Sequence, residues 1–230
     1  MSYFSDHENM SRSPLLLGAQ TEMLVELLIE ARHLGFLGPG PVDAQIARSA
    51  GFAVAARKVP KLAIDLGSGG GLPALVLAAN WPTSRWLLVD SNQRRCAWLS
   101  EALRRLGTAD RCDVVCDRAE NVGRGASRHS ADLVTARSFA PPSPTAECAA
   151  PLLRLGGDLL VADPPASSVP GVADGRWSIE GLSLLGLQLD YTYVVTTFGG
   201  PVTVSRLTAA SECPTVYPRR VGVPFKRHLF

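Results

Sequence analysis

Ala63-Ile64-Asp65-Leu66-Gly67-Ser68-Gly69-Gly70-Gly71-Leu72-Pro73 runs from an apolar strand pattern through an acidic residue into a glycine loop. A helical pattern follows, from Leu72 to Asn80. Glycine lets the backbone turn sharply and lets a ligand approach the main chain where a Cβ would clash. The N–H groups at the start of the helix have no intrahelical acceptor and point at whatever the loop holds. A strand, a glycine loop and a helix in this order predict a cofactor cradle.

The register of the glycines narrows the cofactor. Gly67, Gly69 and Gly71 fit G-x-G-x-G directly behind Asp65. They fit the dinucleotide fingerprint only as Gly69-x-Gly71-x-x-Ala74, a register that starts two residues late. This offset and the acid before the first glycine favour S-adenosylmethionine over a nicotinamide dinucleotide. Asp65 can support the loop and lie near the ligand's cationic amino-acid end. Asp90 ends the next strand pattern, nineteen positions after Gly71. A carboxylate there can accept both ribose hydroxyls, a need that both cofactors share.

Outward from the loop, strands read at 62–66, 85–90, 112–116, 131–136 and 157–162, with helices at 72–80, 92–106 and about 143–153. Such alternation predicts a parallel sheet with helices on both faces. A Pro/Ser/Gly-rich loop from Asp163 to Gly175 precedes a helix near 177–185. The β-rich runs 188–198 and 201–208 then form a hairpin through Gly199-Gly200-Pro201. Upstream, apolar residues at helical spacing (Leu17, Leu24, Leu27, Leu28, Ala31) predict a helix over 14–34. A second spans Val42 to about Ala55, after the breakers Gly38-Pro39-Gly40-Pro41. The expected division is a helical cap at 1–60, a cofactor-binding domain at 61–210 and a basic tail at 211–230.

The whole chain sets limits on function. Its 230 residues, 46% hydrophobic and 19% charged, suit a folded globular protein. No apolar run reaches the ~20 residues of a membrane helix, and Met1 to Arg12 carries no signal-peptide pattern. A cytoplasmic monomer is expected. The five cysteines (Cys96, Cys112, Cys116, Cys148, Cys213) form no CxxC pair, and the four histidines show no ligand spacing, so no metal is expected. Net charge is only +2, but the last fourteen residues hold Arg219, Arg220, Lys226 and Arg227 with no acid. On composition alone they read as an extended, solvated strip.

Several of these segments resemble one family in order. Asp65-Leu-Gly-Ser-Gly-Gly-Gly-Leu-Pro73 is similar to the first motif of the bacterial small-subunit rRNA guanine-N7 methyltransferase G family (RsmG, or glucose-inhibited division protein B). Leu88-Val-Asp-Ser-Asn-Gln-Arg-Arg-Cys-Ala-Trp-Leu99 resembles its second strand and helix, and Arg118-Ala119-Glu120 its R-A-E signature. Asp132-Leu-Val-Thr-Ala-Arg137 and Pro151-Leu-Leu-Arg-Leu-Gly-Gly157 resemble the segments that follow. The tail Tyr217-Pro-Arg-Arg-Val-Gly-Val-Pro-Phe-Lys-Arg-His-Leu-Phe230 resembles the closing Y-P-R-R-x-G-x-P-x-K motif, the most specific of the matches.

The resemblance implies a doubly wound, seven-stranded class I methyltransferase (Rossmann-like) α/β sheet with a small N-terminal helical cap. It implies S-adenosylmethionine contacts from Gly67, Leu72, Ala119, Glu120 and Arg137, to which the reading of the glycine loop and the next strand adds Asp65, Ser68, Gly69, Gly71 and Asp90. The acceptor it implies is N7 of a guanine in the 530 loop of 16S rRNA, or of a small-subunit precursor. Arg118, Arg219, Arg220, Lys226 and Arg227 would meet the RNA. Arg118 and Arg137 can equally serve as ion-pair partners of Glu120 or Asp132. N7 is a neutral lone pair with no proton to remove, so no catalytic base is expected. Three departures fall on the acceptor side: Leu34-Gly-Phe-Leu-Gly38 and Gln45-Ile-Ala-Arg-Ser49 stand where the family carries N-L-T and H-x-x-D-S, and Asp163-Pro164-Pro165 replaces a lysine–glycine pair. The last is also set apart from the D/N-P-P-Y motif of amino methyltransferases, because it follows the fifth strand and ends in Ala166. The alternatives are a methyltransferase acting on a small molecule or protein, and a non-catalytic relative that binds RNA or the ribosome.

Overall fold

A computed structural model describes residues 19–164 and 175–230. Residues 14–18 of the first expected helix and most of the loop after Asp163 lie outside the described residues.

Two helices, α1 (Ala19–His33) and α2 (Val42–Ala55), precede the strand β1 (Leu62–Leu66). The alternation then runs α3 (Ala74–Asn80), β2 (Arg85–Asp90), α4 (Gln93–Arg105), β3 (Cys112–Cys116), α5 (Ala119–Arg124), β4 (Ala131–Ala136), α6 (Pro142–Ala149) and β5 (Leu153–Asp163). It closes with α7 (Ile179–Leu184), β6 (Leu187–Thr197), β7 (Gly200–Ala209) and the single turn α8 (Val223–Lys226). The strands form one seven-stranded sheet in the order β3-β2-β1-β4-β5-β7-β6, with β7 antiparallel to both neighbours. This is the doubly wound sheet ending in an antiparallel pair that the alternation predicts.

Period-two alternation along the central strands divides the core between the two faces. Ala63, Leu133 and Leu160 pack with α1 to α4. Ile64, Leu66, Val134 and Leu159 pack with α5 to α7. Leu24, Leu27 and Leu28 of α1 and Phe52 of α2 are fully buried in the first of these clusters, so the N-terminal helices share a core with the sheet.

The differences from expectation have local causes. The glycine turns extend through Pro73, so α3 starts at Ala74. The helix expected to about 153 is α6 plus a 3-10 turn at Ala150–Leu152. Strand β5 begins ahead of the Gly156-Gly157 pair, because Leu153 already pairs with Ala131; the ladder is then interrupted before resuming at Leu133 and Asp158. The short α5 has no counterpart in the sequence reading. The C-terminal segment is not an extended solvated strip. Leu229 and Phe230 N–H groups donate to Ser143 Oγ at the start of α6 (2.8 and 3.4 Å), and Arg124 and Arg128 donate to the carbonyls of Pro218 and Tyr217 (2.9 and 2.8 Å). Among the described residues, no helix is long and apolar enough to cross a membrane.

Candidate cofactor and acceptor site

The strand order reverses between β1 and β4, and ligands of doubly wound sheets bind outside the carboxyl ends of the strands at such a switch point. Two adjoining cavities occupy that position and share Ser138 and Phe139, which follow β4.

The smaller, of about 360 Å³, is lined by Gly67, Asp90, Ser91, Arg95, Asp117, Arg118, Ala119, Glu120, Ser138, Phe139 and Phe225, with Val89 behind them. Gly67 has φ +66°, and a Cβ there would stand 2.7 Å from the Phe139 ring. Gly70 meets a similar limit, since its Cβ would lie 2.7 Å from the Phe36 carbonyl oxygen. Gly69 N–H donates to Asp90 Oδ2 (2.9 Å) and Asn92 N–H to Asp90 Oδ1 (2.8 Å), so Asp90 ties the glycine loop to the end of β2. Each carboxylate oxygen keeps further acceptor capacity. Asn92 in turn caps α4, its side chain accepting from the N–H groups of Arg94 and Arg95 (3.0 and 3.2 Å).

On the opposite wall the Glu120 carboxylate is fully buried. Its Oε1 accepts the Gly222 N–H at 2.8 Å and faces Arg118 at 3.4 Å. Its Oε2 has no partner. The Arg118 guanidinium lies over the Phe225 ring, 5.3 Å from its centroid, and Phe225 meets Phe139 edge to face at 5.7 Å.

Asp65 lies beneath the loop and lines neither cavity. Its Oδ1 accepts the Thr135 hydroxyl at 2.6 Å, while Oδ2 is buried without a partner. Burial pushes the Asp65 carboxyl up to about 7, against hydrogen bonding from Thr135 and Ser68 and the charge of Arg137. Ser68, Gly69, Gly71 and Leu72 build the loop or pack below it. The Ser68 N–H donates to Val89 O (3.0 Å), and Leu72 joins the core.

The larger cavity, of about 670 Å³, is bounded by the ends of β4 and β5, by α2 and by the start of β7. Arg137 lies here, donating to Ser49 Oγ (2.9 Å) and Gln45 Oε1 (3.2 Å). It is not a partner of Asp132, which binds Arg154 at 2.6 Å and the N–H groups of Lys61 and Leu62. Asp163 pairs with Arg176 at 3.1 Å and accepts the Ser205 hydroxyl at 2.5 Å.

Of the residues expected to meet RNA, Arg118 is in the smaller cavity and Arg219 is engaged elsewhere. The Arg219 guanidinium grips the fully buried Glu147 of α6 through Nε and Nη2 (2.9 and 2.6 Å). Arg220, Lys226 and Arg227 are exposed. The sequence reading missed Phe139 and Phe225. Phe139 carries a signal, following two residues after Arg137 at the end of a sheet strand; Phe225 carries none that would place it. Among the described residues, no group of His, Cys, Asp and Glu is arranged to hold a metal.

The profile of the GidB family, described as rRNA small subunit methyltransferase G, matches residues 46–163. The ribosomal RNA small subunit methyltransferase G of Syntrophomonas wolfei is 34% identical over 170 residues, which span 72% of this chain and 76% of that protein. That of Thermotoga neapolitana is 35% identical over 166 residues, 72% of this chain and 70% of that protein. The chain belongs to the rRNA small subunit methyltransferase G family.

Solved structures agree on the fold. An O-methyltransferase from Bacillus cereus, in complex with S-adenosylhomocysteine, superposes with a TM-score of 0.58 at 13% identity, over 87% of this chain and 96% of that one. The O-methyltransferase TomG from Streptomyces achromogenes, in complex with S-adenosylmethionine, gives 0.57 at 15% identity, over 90% and 100%.

As a family member the chain is an S-adenosylmethionine-dependent methyltransferase. The smaller cavity fits that cofactor. A side chain at Gly67 would fill it, Asp90 offers acceptors for a diol, and Glu120 Oε2 is a buried acceptor without a donor. Two aromatic rings and a cation suit a purine face.

Proposed function

We propose that this enzyme methylates N7 of a guanine in 16S rRNA, in the 530 loop, as a cytoplasmic protein acting on the small ribosomal subunit or its precursor. The observation that carries this reading is the chemistry of the larger cavity. Its described lining contains no histidine, and its one carboxylate, Asp163, is engaged by Arg176 and Ser205. A hydroxyl or amino acceptor needs a group to take its proton; a guanine N7 needs none. Bound S-adenosylmethionine supplies an electrophilic methyl group on a positively charged sulfur.

The chain's own residues then hold and orient. Asp90 fixes the glycine loop, Ser49 and Gln45 fix Arg137, and Phe139 stands where the two cavities meet. Alignment in a site with little water can supply much of the rate. Three guanidiniums in the larger cavity suit a polyanionic acceptor.

The test maps 7-methylguanine along 16S rRNA in strains with and without the gene, and with the gene restored as Arg137→Ala. The modification should vanish on deletion and return poorly, by at least tenfold, with the variant. Unchanged modification after deletion, in a strain with no redundant enzyme, overturns the reading.

A further inference from the structure

The larger cavity has a charge imbalance that methyl transfer to a neutral lone pair does not use. Its described lining carries Arg48, Arg137 and Arg176 against the single carboxylate Asp163. Arg176 and Asp163 face each other at 3.1 Å. Among the described residues, Arg137 is held by neutral oxygens, those of Ser49 and Gln45. Arg48 lies on α2 three residues beyond Gln45 and next to Ser49, and it lines the same cavity as Arg137. Its Nε is buried without a hydrogen-bond partner, and it forms no ion pair among the described residues.

Two guanidiniums thus share a half-enclosed space with no carboxylate of the described residues directly bound to either. Burial pushes the Arg137 pKa down and the nearby Arg48 charge pushes it further, with only the charge of Asp65 beneath acting the other way. Unpaired charge away from water is costly, and an anion between the two cations offsets that cost. The planar fork of each guanidinium matches a phosphate's oxygens. Arg137 is already oriented for such a contact by Ser49 and Gln45, and Arg48 is rooted on a helix packed against β6 and β7.

We propose that Arg48 and Arg137 form a phosphate-binding subsite in the acceptor cavity, which grips a phosphodiester of the RNA beside the nucleotide to be methylated. The inference rests on the nucleic-acid reading above and deepens it. It makes Arg48 a positioning residue whose contact carries no base identity. The other anion within reach is the carboxylate at the amino-acid end of the cofactor, and the experiment separates the two.

Calorimetry on protein saturated with S-adenosylhomocysteine compares guanosine 5′-monophosphate with guanosine. Wild type should prefer the monophosphate at least tenfold. Arg48→Ala and Arg48→Gln should reduce that preference below threefold, and Arg48→Lys, which keeps the charge and loses the fork, should fall between. Affinity for S-adenosylhomocysteine should stay within twofold in every variant, which also reports on folding. The subsite is overturned if wild type shows no preference, if the preference survives in both Arg48→Ala and Arg48→Gln, or if these variants lose cofactor affinity tenfold. An Arg48-dependent preference in a protein that leaves 16S rRNA unmethylated would retain the subsite and retire the guanine-N7 reading. Methylated rRNA without the preference would do the opposite.

Discussion

Asp65 combines near-complete burial, at 1% exposure, with a hydrogen bond to Thr135 and an Oδ2 that nothing satisfies. Its carboxyl is raised from 3.8 to about 7 by desolvation. Between these values the folded protein holds a proton that the unfolded chain has released, so stability falls as pH rises through the window. A shift of this size corresponds to roughly 4 kcal/mol. Asp65→Asn removes the titration and keeps an acceptor for Thr135. The stability of the variant relative to wild type, measured by denaturant unfolding without cofactor, should therefore improve by about 3–4 kcal/mol between pH 4 and pH 8. A difference that stays flat across that range would mean Asp65 is already ionised in the folded protein. Asp65 was legible in the sequence because strand, acid and glycine loop are contiguous. Its isolation was not, because Thr135 and Arg137 come from β4 and the residue after it, some seventy residues on.

The C-terminal segment shows where element-level reading fails. A run with four basic residues and no acid reads as solvated tail, yet its partners are two carboxylates buried far upstream. Glu147 takes Arg219, and Glu120 takes the Gly222 N–H across 102 residues of chain. Nothing in local composition marks such pairs, whereas the strand before the glycine loop and the β6–β7 hairpin are local and visible in the sequence. The same geometry places Phe225 against Phe139 and Arg118 in the cofactor cavity, so the segment works as a strap closing that cavity. Removing the Arg219 side chain leaves the buried Glu147 carboxylate with the Arg219 backbone N–H but without its cation, a change that costs about 3–5 kcal/mol. Arg219→Ala should lower stability by that order, and Arg219→Ala with Glu147→Gln by clearly less than the two single losses combined. Phe225→Ala should weaken S-adenosylhomocysteine binding about tenfold with a smaller stability loss. If Phe225→Ala binds as wild type does, the ring is only a bystander to the cavity.

Across the whole molecule, the carboxyl ends of β1, β2 and β3 serve one cavity, that of β5 the other, and that of β4 both. The strap from the far end of the chain seals the first. Arg48 and Asp163, which fall in two of the segments expected to depart from the family pattern, both line the second, so these expected departures lie where an acceptor would enter. An RNA acceptor must also rest on the outside of the protein. There the strap presents Arg220, Lys226 and Arg227 to solvent, in the same segment as Phe225, which lines the smaller cavity. These side chains are free to meet phosphates while their backbone holds the wall in place. Each phosphate contact to single-stranded RNA contributes about 0.7 to the slope of log affinity against log salt. Replacing all three with alanine should therefore lower affinity for a 16S rRNA fragment carrying the 530 loop, with the salt slope reduced by up to about 2. Affinity for S-adenosylhomocysteine should not change, because none of the three side chains lines the cavity. A variant with the wild-type slope would move the RNA path off the strap and onto the arginine-lined cavity alone.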